Sequence, residues 1–154
     1  MNLTLYLLDT SILLLLVRGG PIARYIRVTY QLDEVAQRSL VCVVSHGEIR
    51  AMASRREWGE AKQSRLAEAL REYVTVDVND ERVWDAYVQA DRVSRGAPKG
   101  ARTIGDNDRW IAAAAKAAGA VLLTADRDFL HFSSGGFCAV QYVDQASRLL
   151  NDSQ

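Results

Sequence analysis

Short apolar segments alternate along the chain with longer segments of helical periodicity, and this alternation constrains the fold more than any other feature. Strands that are separated by helices pair in parallel, because the crossover returns the chain to the same edge of the sheet. A parallel sheet is covered by helices on both faces, so its strands are apolar throughout. The sequence therefore predicts an α/β fold, a three-layer sandwich whose central parallel sheet has about five strands. The predicted strands are 3–8, 39–44, 74–78, 120–124 and 137–143.

The segments between the strands have the apolar spacing and the end signals of helices. Pro21 favours the start of a helix after a Gly-Gly break. Ser45 with Glu48 three residues later has the pattern of a capping box, and Gly119 is suited to end an Ala-rich helix. The predicted helices are 11–17, 21–32, 45–56, 57–73, 79–96, 106–119 and 125–132, and 97–105 is predicted to be a loop.

The length and composition indicate one soluble domain. We predict a single domain over 1–154, with a helical or flexible tail after about residue 145. Lys plus Arg equal Asp plus Glu at 19 each, so net charge gives no argument for a nucleic acid or a membrane as partner. Cys42 and Cys138 do not make a disulfide framework, and the apolar run 10–17 is too short to cross a bilayer. We expect a soluble, cytoplasmic protein with reduced cysteines.

Acidic side chains follow several of the predicted strands. Asp9 directly follows the first strand, and Glu48 lies in the first turn of the helix after the second strand. Asp126 and Asp128 follow the fourth strand, and Asp108 lies at the start of the Ala-rich helix. Ligands bind beyond the carboxyl ends of the strands in an open parallel sheet. We therefore expect these side chains to meet at one edge.

Each of these acids also has an ordinary structural explanation, because helix N-termini favour negative charge. Asp9 is suited to cap the helix that follows it, and Glu48 is suited to complete the capping box with Ser45. Asp106 or Asp108 is suited to cap the Ala-rich helix. These alternatives stay open for each residue taken singly.

Capping of helix N-termini does not explain why several acids are expected at the same edge of the sheet. Two like charges about 4 Å apart cost up to about 4 kcal/mol at an effective dielectric of about 20, so such a cluster needs a cation or a proton. Carboxylate oxygens without Cys or His ligands favour Mg²⁺ or Mn²⁺. His46 and His131 are far apart in sequence, and neither forms a zinc-ligand pair with a cysteine. The residues therefore predict a magnesium or manganese site at the carboxyl edge of the sheet.

The motifs that carry these acids resemble those of the PIN domain, and especially those of the VapC toxins of type II toxin–antitoxin pairs. In chain order they are LLDTSILL, SHGEIRAM, IGDNDRWIAAAA and LLTADRDF, and the resemblance covers nearly the whole chain. It assigns the catalytic and metal-binding roles to Asp9, Glu48, Asp108 and Asp126. It assigns auxiliary roles, orienting the carboxylates or the attacking water, to Asp128, Thr10, Ser11 and Thr124. Asp106 departs from the pattern, because relatives commonly have a neutral or basic residue there.

The resemblance implies a Mg²⁺- or Mn²⁺-dependent endoribonuclease that leaves a 5′-phosphate and a 3′-hydroxyl. It also implies a cognate antitoxin protein that covers the acidic edge, and a homodimer, with no membrane partner. A catalytically inactive PIN-domain scaffold or RNA-binding module is the alternative. The presence of all the family's acids favours the enzyme.

An RNA substrate also requires cations near the acids. Basic residues that surround the loop before the Ala-rich helix are expected to contact RNA phosphates. They are Arg95, Lys99, Arg102 and Arg109. A second basic group, for which a solvated helix surface is an equal explanation, consists of Arg55, Arg56, Lys62 and Arg65. Trp110 is suited either to stack on a base or to pack in the core.

Overall fold

The computed structural model describes residues 4–34, 38–96 and 104–145. The helices and strands are β1 (Tyr6–Leu8), α1 (Thr10–Arg18), α2 (Gly20–Thr29), β2 (Leu40–Cys42), α3 (Val43–Arg55), α4 (Glu60–Arg71), β3 (Val74–Val76), α5 (Glu81–Arg95), α6 (Asp106–Ala118), β4 (Val121–Thr124), α7 (Leu130–Ser134) and β5 (Val140–Tyr142). A 3₁₀ turn, Arg127–Phe129, precedes α7. The strands form one sheet in the order β3-β2-β1-β4-β5, and all neighbouring pairs are parallel.

The sheet order places β1 at the centre. Leu8 of β1 pairs with Val41 of β2 on one side and with Leu123 of β4 on the other. The chain moves outward from β1 to β3 and then crosses to β4, so the connections leave β1 and β4 in opposite directions. Open α/β sheets bind ligands at such a point, outside the carboxyl ends of the strands. Asp9, the first residue after β1, lies there.

The core is divided by the sheet, because alternate residues of a strand point to opposite faces. Leu7 and Leu122 pack on one face with buried residues of α5, α6 and α7. Leu8 and Leu123 pack on the other face with buried residues of α1, α2, α3 and α4. Helices therefore cover both faces of the parallel sheet, which confirms the predicted three-layer α/β fold.

The observed elements differ from the predicted ones mainly at their ends. Val43 and Val44 were expected to end the second strand, but they form the first turn of α3. Their β-branched side chains favour a strand, whereas the pairing of β2 with β3 ends at Cys42 and the chain turns into a helix there. Gly119 ends α6 in a left-handed conformation with φ 64°, as predicted. Most of the predicted loop 97–105 and the tail after 145 lie outside the described residues.

None of the helices in the described ranges combines the length and apolar character that crossing a bilayer requires.

Candidate active site

Asp9 is buried at the central edge of the sheet, with 3% of its surface exposed. It caps α1, since its Oδ1 accepts the backbone N–H of Thr10 at 2.7 Å. Its Oδ2 accepts the hydroxyls of Ser11 at 2.6 Å and of Thr124 at 2.9 Å. An ionised carboxylate has about four acceptor positions, so these bonds fix its orientation without using all of them. Capping and a role in a site are therefore compatible for Asp9.

The pKa of Asp9 is raised above its ordinary value of 3.8. Burial is the main cause, because a carboxylate loses its hydration inside the protein. The hydrogen bonds from Ser11, Thr124 and Thr10 lower the pKa but do not cancel the effect of burial, and the negative charge of Asp126 raises it further. The hydrogen bonds to Asp9 therefore offset only part of the free energy that burial of its negative charge costs.

Glu48 is bonded to Thr10 and not to its own helix. Thr10 Oγ lies 2.8 Å from Glu48 Oε1 and 2.9 Å from Ser45 Oγ. The hydroxyl of Thr10 has one hydrogen and an ionised carboxylate can only accept, so that hydrogen goes to Glu48 and the Ser45 hydroxyl supplies the other bond. The capping box predicted for Ser45 and Glu48 is wrong, because α3 begins two residues earlier and Cys42 is its N-cap, without a side-chain bond.

A second set of bonds joins the loop after β4 to the start of α1. Ser11 Oγ accepts the N–H of Ala125 at 3.0 Å, and Thr124 Oγ accepts the N–H of Asp126 at 3.0 Å. Asp126 Oδ1 in turn accepts the N–H of Asp128 at 2.9 Å and caps the 3₁₀ turn. The hydroxyls of Ser11 and Thr124 therefore contact the carboxylate of Asp9 and also hold the segment that carries Asp126.

Asp108 enters the same region from the first turn of α6. Its pKa is raised to about 7, first by burial and then by the charges of the other acids. Those acids are Asp9, Glu48, Asp126 and Asp128. The N-cap of α6 is Gly105, without a side-chain bond, so neither Asp106 nor Asp108 caps this helix as the alternative interpretation proposed. The structure thus brings the predicted acids near enough for each to act electrostatically on Asp108.

In the part of the chain that the structure describes, these carboxylates form no ion pair with a basic side chain. Among the described residues, no Lys, Arg or His nitrogen lies within 4.0 Å of the carboxylates of Asp9, Glu48, Asp108 or Asp126. The same part of the chain contains no group of three or more His, Cys, Asp or Glu side chains in an arrangement that holds a metal ion. The acids therefore share one edge and repel one another without forming a closed set of ligands. Their donor atoms are all carboxylate oxygens, which fit Mg²⁺ or Mn²⁺ and not zinc.

The sequence model of the family described as "PIN domain" matches residues 6–134, which include all of these acids. The chain belongs to the PIN domain family. No curated protein sequence matches it significantly. The family assignment therefore rests on the match to the domain as a whole.

Solved structures of low sequence identity share the fold of this PIN domain. VapBC2 from Rickettsia felis, bound to a DNA fragment from its promoter, is 20% identical with a TM-score of 0.72, and the match covers 92% of this chain and 100% of that chain. VapBC-1 from nontypeable Haemophilus influenzae is 23% identical with a TM-score of 0.69, covering 90% and 98%. VapBC-5 from Mycobacterium tuberculosis is 21% identical with a TM-score of 0.62, covering 91% and 99%.

The arginines that were predicted to bind RNA are paired with acids in this PIN domain. Arg109 Nη1 lies 2.5 Å from Asp106 Oδ1, and its Nε lies 3.8 Å from Asp91 Oδ1. Arg95 Nε lies 3.0 Å from Asp91 Oδ2. Asp106, the departure from the family pattern, therefore balances a local arginine. The other two predicted RNA contacts, Lys99 and Arg102, lie outside the described residues.

Three other residues that the sequence singled out have packing or hydrogen-bonding roles. Trp110 packs on Tyr87 with ring centroids 4.1 Å apart, in the core layer formed with α5. His46 Nε2 lies 2.9 Å from Thr75 Oγ, at the β3 side of the sheet. His131 packs on Phe132 with ring centroids 3.9 Å apart. The contact of Trp110 agrees with its predicted packing in the core.

A groove that sequence reasoning missed opens beside the acids of this PIN domain. It has a volume of about 450 Å³ and runs along α3 between Thr10 of α1 and Asn107 of α6. An adjoining depression of about 500 Å³ is lined by Glu48, Gly105, Asp106, Asn107 and Asp108. The helical spacing of residues within α3 was the only feature of the sequence that could have indicated the groove. The groove also requires α1 and α6, and their positions beside α3 are set by the tertiary structure.

Proposed function

We propose that this PIN domain is a Mg²⁺- or Mn²⁺-dependent endoribonuclease whose cation is held by Asp9, Glu48, Asp108 and Asp126. The observation that carries the proposal is the convergence of these acids on Asp108, with no described Lys, Arg or His nitrogen within 4.0 Å of their carboxylates. Burial of Asp108 is the main cause and the charges of the other acids add to it, so that the pKa of Asp108 is raised to about 7. A divalent cation bound among them offsets this repulsion and favours the ionised form of every ligand.

The chain's own hydroxyls prepare the carboxylates for this role. Ser11 and Thr124 hold Asp9 in one orientation, and Thr10 holds Glu48. Such supporting bonds keep ligands in place, so that less reorganisation is needed when the substrate binds. When bound, a divalent cation supplies an activated water and offsets the charge that develops on the scissile phosphate. The resemblance to the family implies a 5′-phosphate and a 3′-hydroxyl as product ends.

We also propose that the protein is the toxin of a toxin–antitoxin pair in the cytoplasm. The structural neighbours described above are VapBC proteins, and the alignments span nearly the whole of this chain. A cognate antitoxin is then the partner that neutralises the enzyme, and a homodimer is the expected assembly. An antitoxin that directs an arginine at the uncompensated acids matches their charge.

The direct test is cleavage of RNA by the purified protein with Mg²⁺ or Mn²⁺, with EDTA, and with the variant Asp108→Asn. We expect cleavage only with a divalent cation, and a large loss in Asp108→Asn. Asp106→Asn is the matched control, because Asp106 lies in the same helical turn but is exposed and pairs with Arg109. Cleavage that persists in EDTA would contradict the proposed mechanism.

A non-enzymatic PIN domain is the second candidate. The observation in its favour is that the described acids form no ready-made metal cluster. It predicts neither RNA cleavage nor binding of Mg²⁺ or Mn²⁺, so calorimetric titration of the protein with Mn²⁺ distinguishes the two candidates.

A further inference from the structure

The groove beside the acids follows one face of α3. Glu48, Ala51, Met52 and Arg55 recur at the i, i+3, i+4 and i+7 spacing that places side chains on the same side of a helix. All of them line the groove, together with Thr10, Leu14, Val44, Gly47 and Asn107. The groove therefore begins at the hydrogen-bonded pair of Thr10 and Glu48 and ends at Arg55, the last residue of α3.

We propose that the RNA strand flanking the scissile phosphate lies in this groove and that Arg55 binds the phosphate of a neighbouring nucleotide. This inference rests on the proposed ribonuclease function and names the path of its substrate. A polymeric substrate must continue past the acids in an open channel. The groove along α3 is such a channel, and its described lining ends in a cation.

The groove along α3 and the adjoining depression meet at Glu48, and their charges indicate which of the two holds the RNA strand. Among the described residues, those that line the adjoining depression include three acids, Glu48, Asp106 and Asp108, and no basic residue, so this described lining repels a polyanion. The groove along α3 has one acid, at the catalytic end, and Arg55 at the other. Among the described residues, no carboxylate forms an ion pair with Arg55. Its guanidinium is therefore available for a phosphate, unlike that of Arg109.

Distance and shape agree with this path. Arg55 follows Glu48 by two helical turns, which is about 10 Å along the axis, so it contacts a phosphate beyond the one being hydrolysed. Two of the residues that line the groove are small: Ala51 lies between Glu48 and Arg55 along α3, and Gly47 directly precedes Glu48. A Cβ placed on Gly47 meets no atom within 4 Å, so the space above it is open. Glycine is less favourable than alanine inside a helix, and here it leaves room for the strand.

The first test compares two substrates in Mn²⁺: a fluorescein-labelled pool of single-stranded RNA of random sequence, and the small diester bis(p-nitrophenyl) phosphate. We expect Arg55→Gln to lower kcat/KM for RNA roughly tenfold relative to the small diester, mainly through KM, because a phosphate contact is lost. The slope of log(kcat/KM) for RNA against log salt should become shallower by about 0.7. Arg50→Gln is the matched control: it is exposed on the same helix but lines a separate depression with Leu66 and Leu70.

The second test fills the groove without removing a charge. Gly47→Leu projects a bulky side chain into the open space, and we expect it to lower the ratio of RNA cleavage to diester hydrolysis. Gly47→Ala adds only a methyl group at a helical position and serves as the control for backbone effects. Thermal denaturation of both variants shows whether the fold is retained.

The results separate this inference from the function on which it rests. A wild-type protein that hydrolyses both substrates, with selective loss of RNA cleavage in Arg55→Gln and Gly47→Leu, supports the path. If both variants keep the wild-type ratio of the two activities, the RNA path is wrong, the metal-dependent hydrolase stands, and a protein segment becomes the better occupant of the groove. A wild-type protein that hydrolyses neither substrate with Mg²⁺ or Mn²⁺ overturns both proposals.

Discussion

The metal-free protein should be stabilised at neutral pH by Asp108→Asn, although this change removes a proposed catalytic group. The pKa of Asp108 is raised from 3.8 to about 7 in the folded protein, so the folded state binds this proton more tightly than the unfolded chain. Its contribution to stability is therefore complete below about pH 4 and is lost as the pH rises to about 7. An asparagine carries no charge and avoids that loss.

The size of the effect follows from the pKa. At 1.36 kcal/mol for each pKa unit, a rise from 3.8 to about 7 corresponds to roughly 4 kcal/mol. Asp108 is only half-buried, and water screens part of this energy, so we expect about 1–2 kcal/mol. For a chain of this size, that gain raises Tm by roughly 2–8 °C.

Thermal and urea denaturation in EDTA between pH 4.5 and pH 8 measure this difference. The two proteins should have similar stability at the acid end, and Asp108→Asn should be the more stable one at the alkaline end. Mn²⁺ should then stabilise the wild type more than the variant, because a cation that binds only the folded state raises its stability. Parallel pH profiles in EDTA, or a variant that is less stable at pH 8, would refute the argument that burial and charge repulsion destabilise ionised Asp108.

Other expected outcomes address the supporting bonds, the core and the cellular role. Thr10→Val removes the hydroxyl that bonds Glu48, so metal affinity or RNA cleavage should fall about 10- to 100-fold. Thr10→Ser keeps a hydroxyl and should retain the wild-type affinity and activity. Equal activity of the two variants would show that the bond is dispensable. Leu8→Ala removes a fully buried side chain from the central strand and should lower the free energy of unfolding by about 3 kcal/mol in urea titrations, whereas a loss below about 1 kcal/mol would contradict the packing described. Expression of the wild type in bacterial cells should arrest growth and Asp9→Ala should not, so a fully toxic variant would show that Asp9 is not required.

The local arrangement of the active site was less predictable than its location. The capping box of Ser45 and Glu48 is a sound local pattern, yet Glu48 bonds Thr10, 38 residues earlier in the chain. Arg109 was expected to contact RNA, but Asp106 and Asp91 lie within ion-pair distance of it. Glu48 has its partner in α1, and Arg109 has one partner in α5, Asp91, and one three residues earlier in α6, Asp106. A sequence pattern within one segment shows which contacts are possible inside that segment, but it does not show which contacts other elements provide.

The sequence alone determined the parallel α/β architecture and the edge at which the acids gather. Strand periodicity and the order of elements are local properties, and acids that follow parallel strands must lie at the same edge. Only the tertiary structure decided which hydroxyl holds which carboxylate, how far burial raises the pKa of Asp108, and that a groove leads to Arg55. Thr124 is bonded to Asp9 across 115 residues of sequence. Such contacts, and the loss of hydration that accompanies them, arise from the packing of whole elements and have no signature in any one segment.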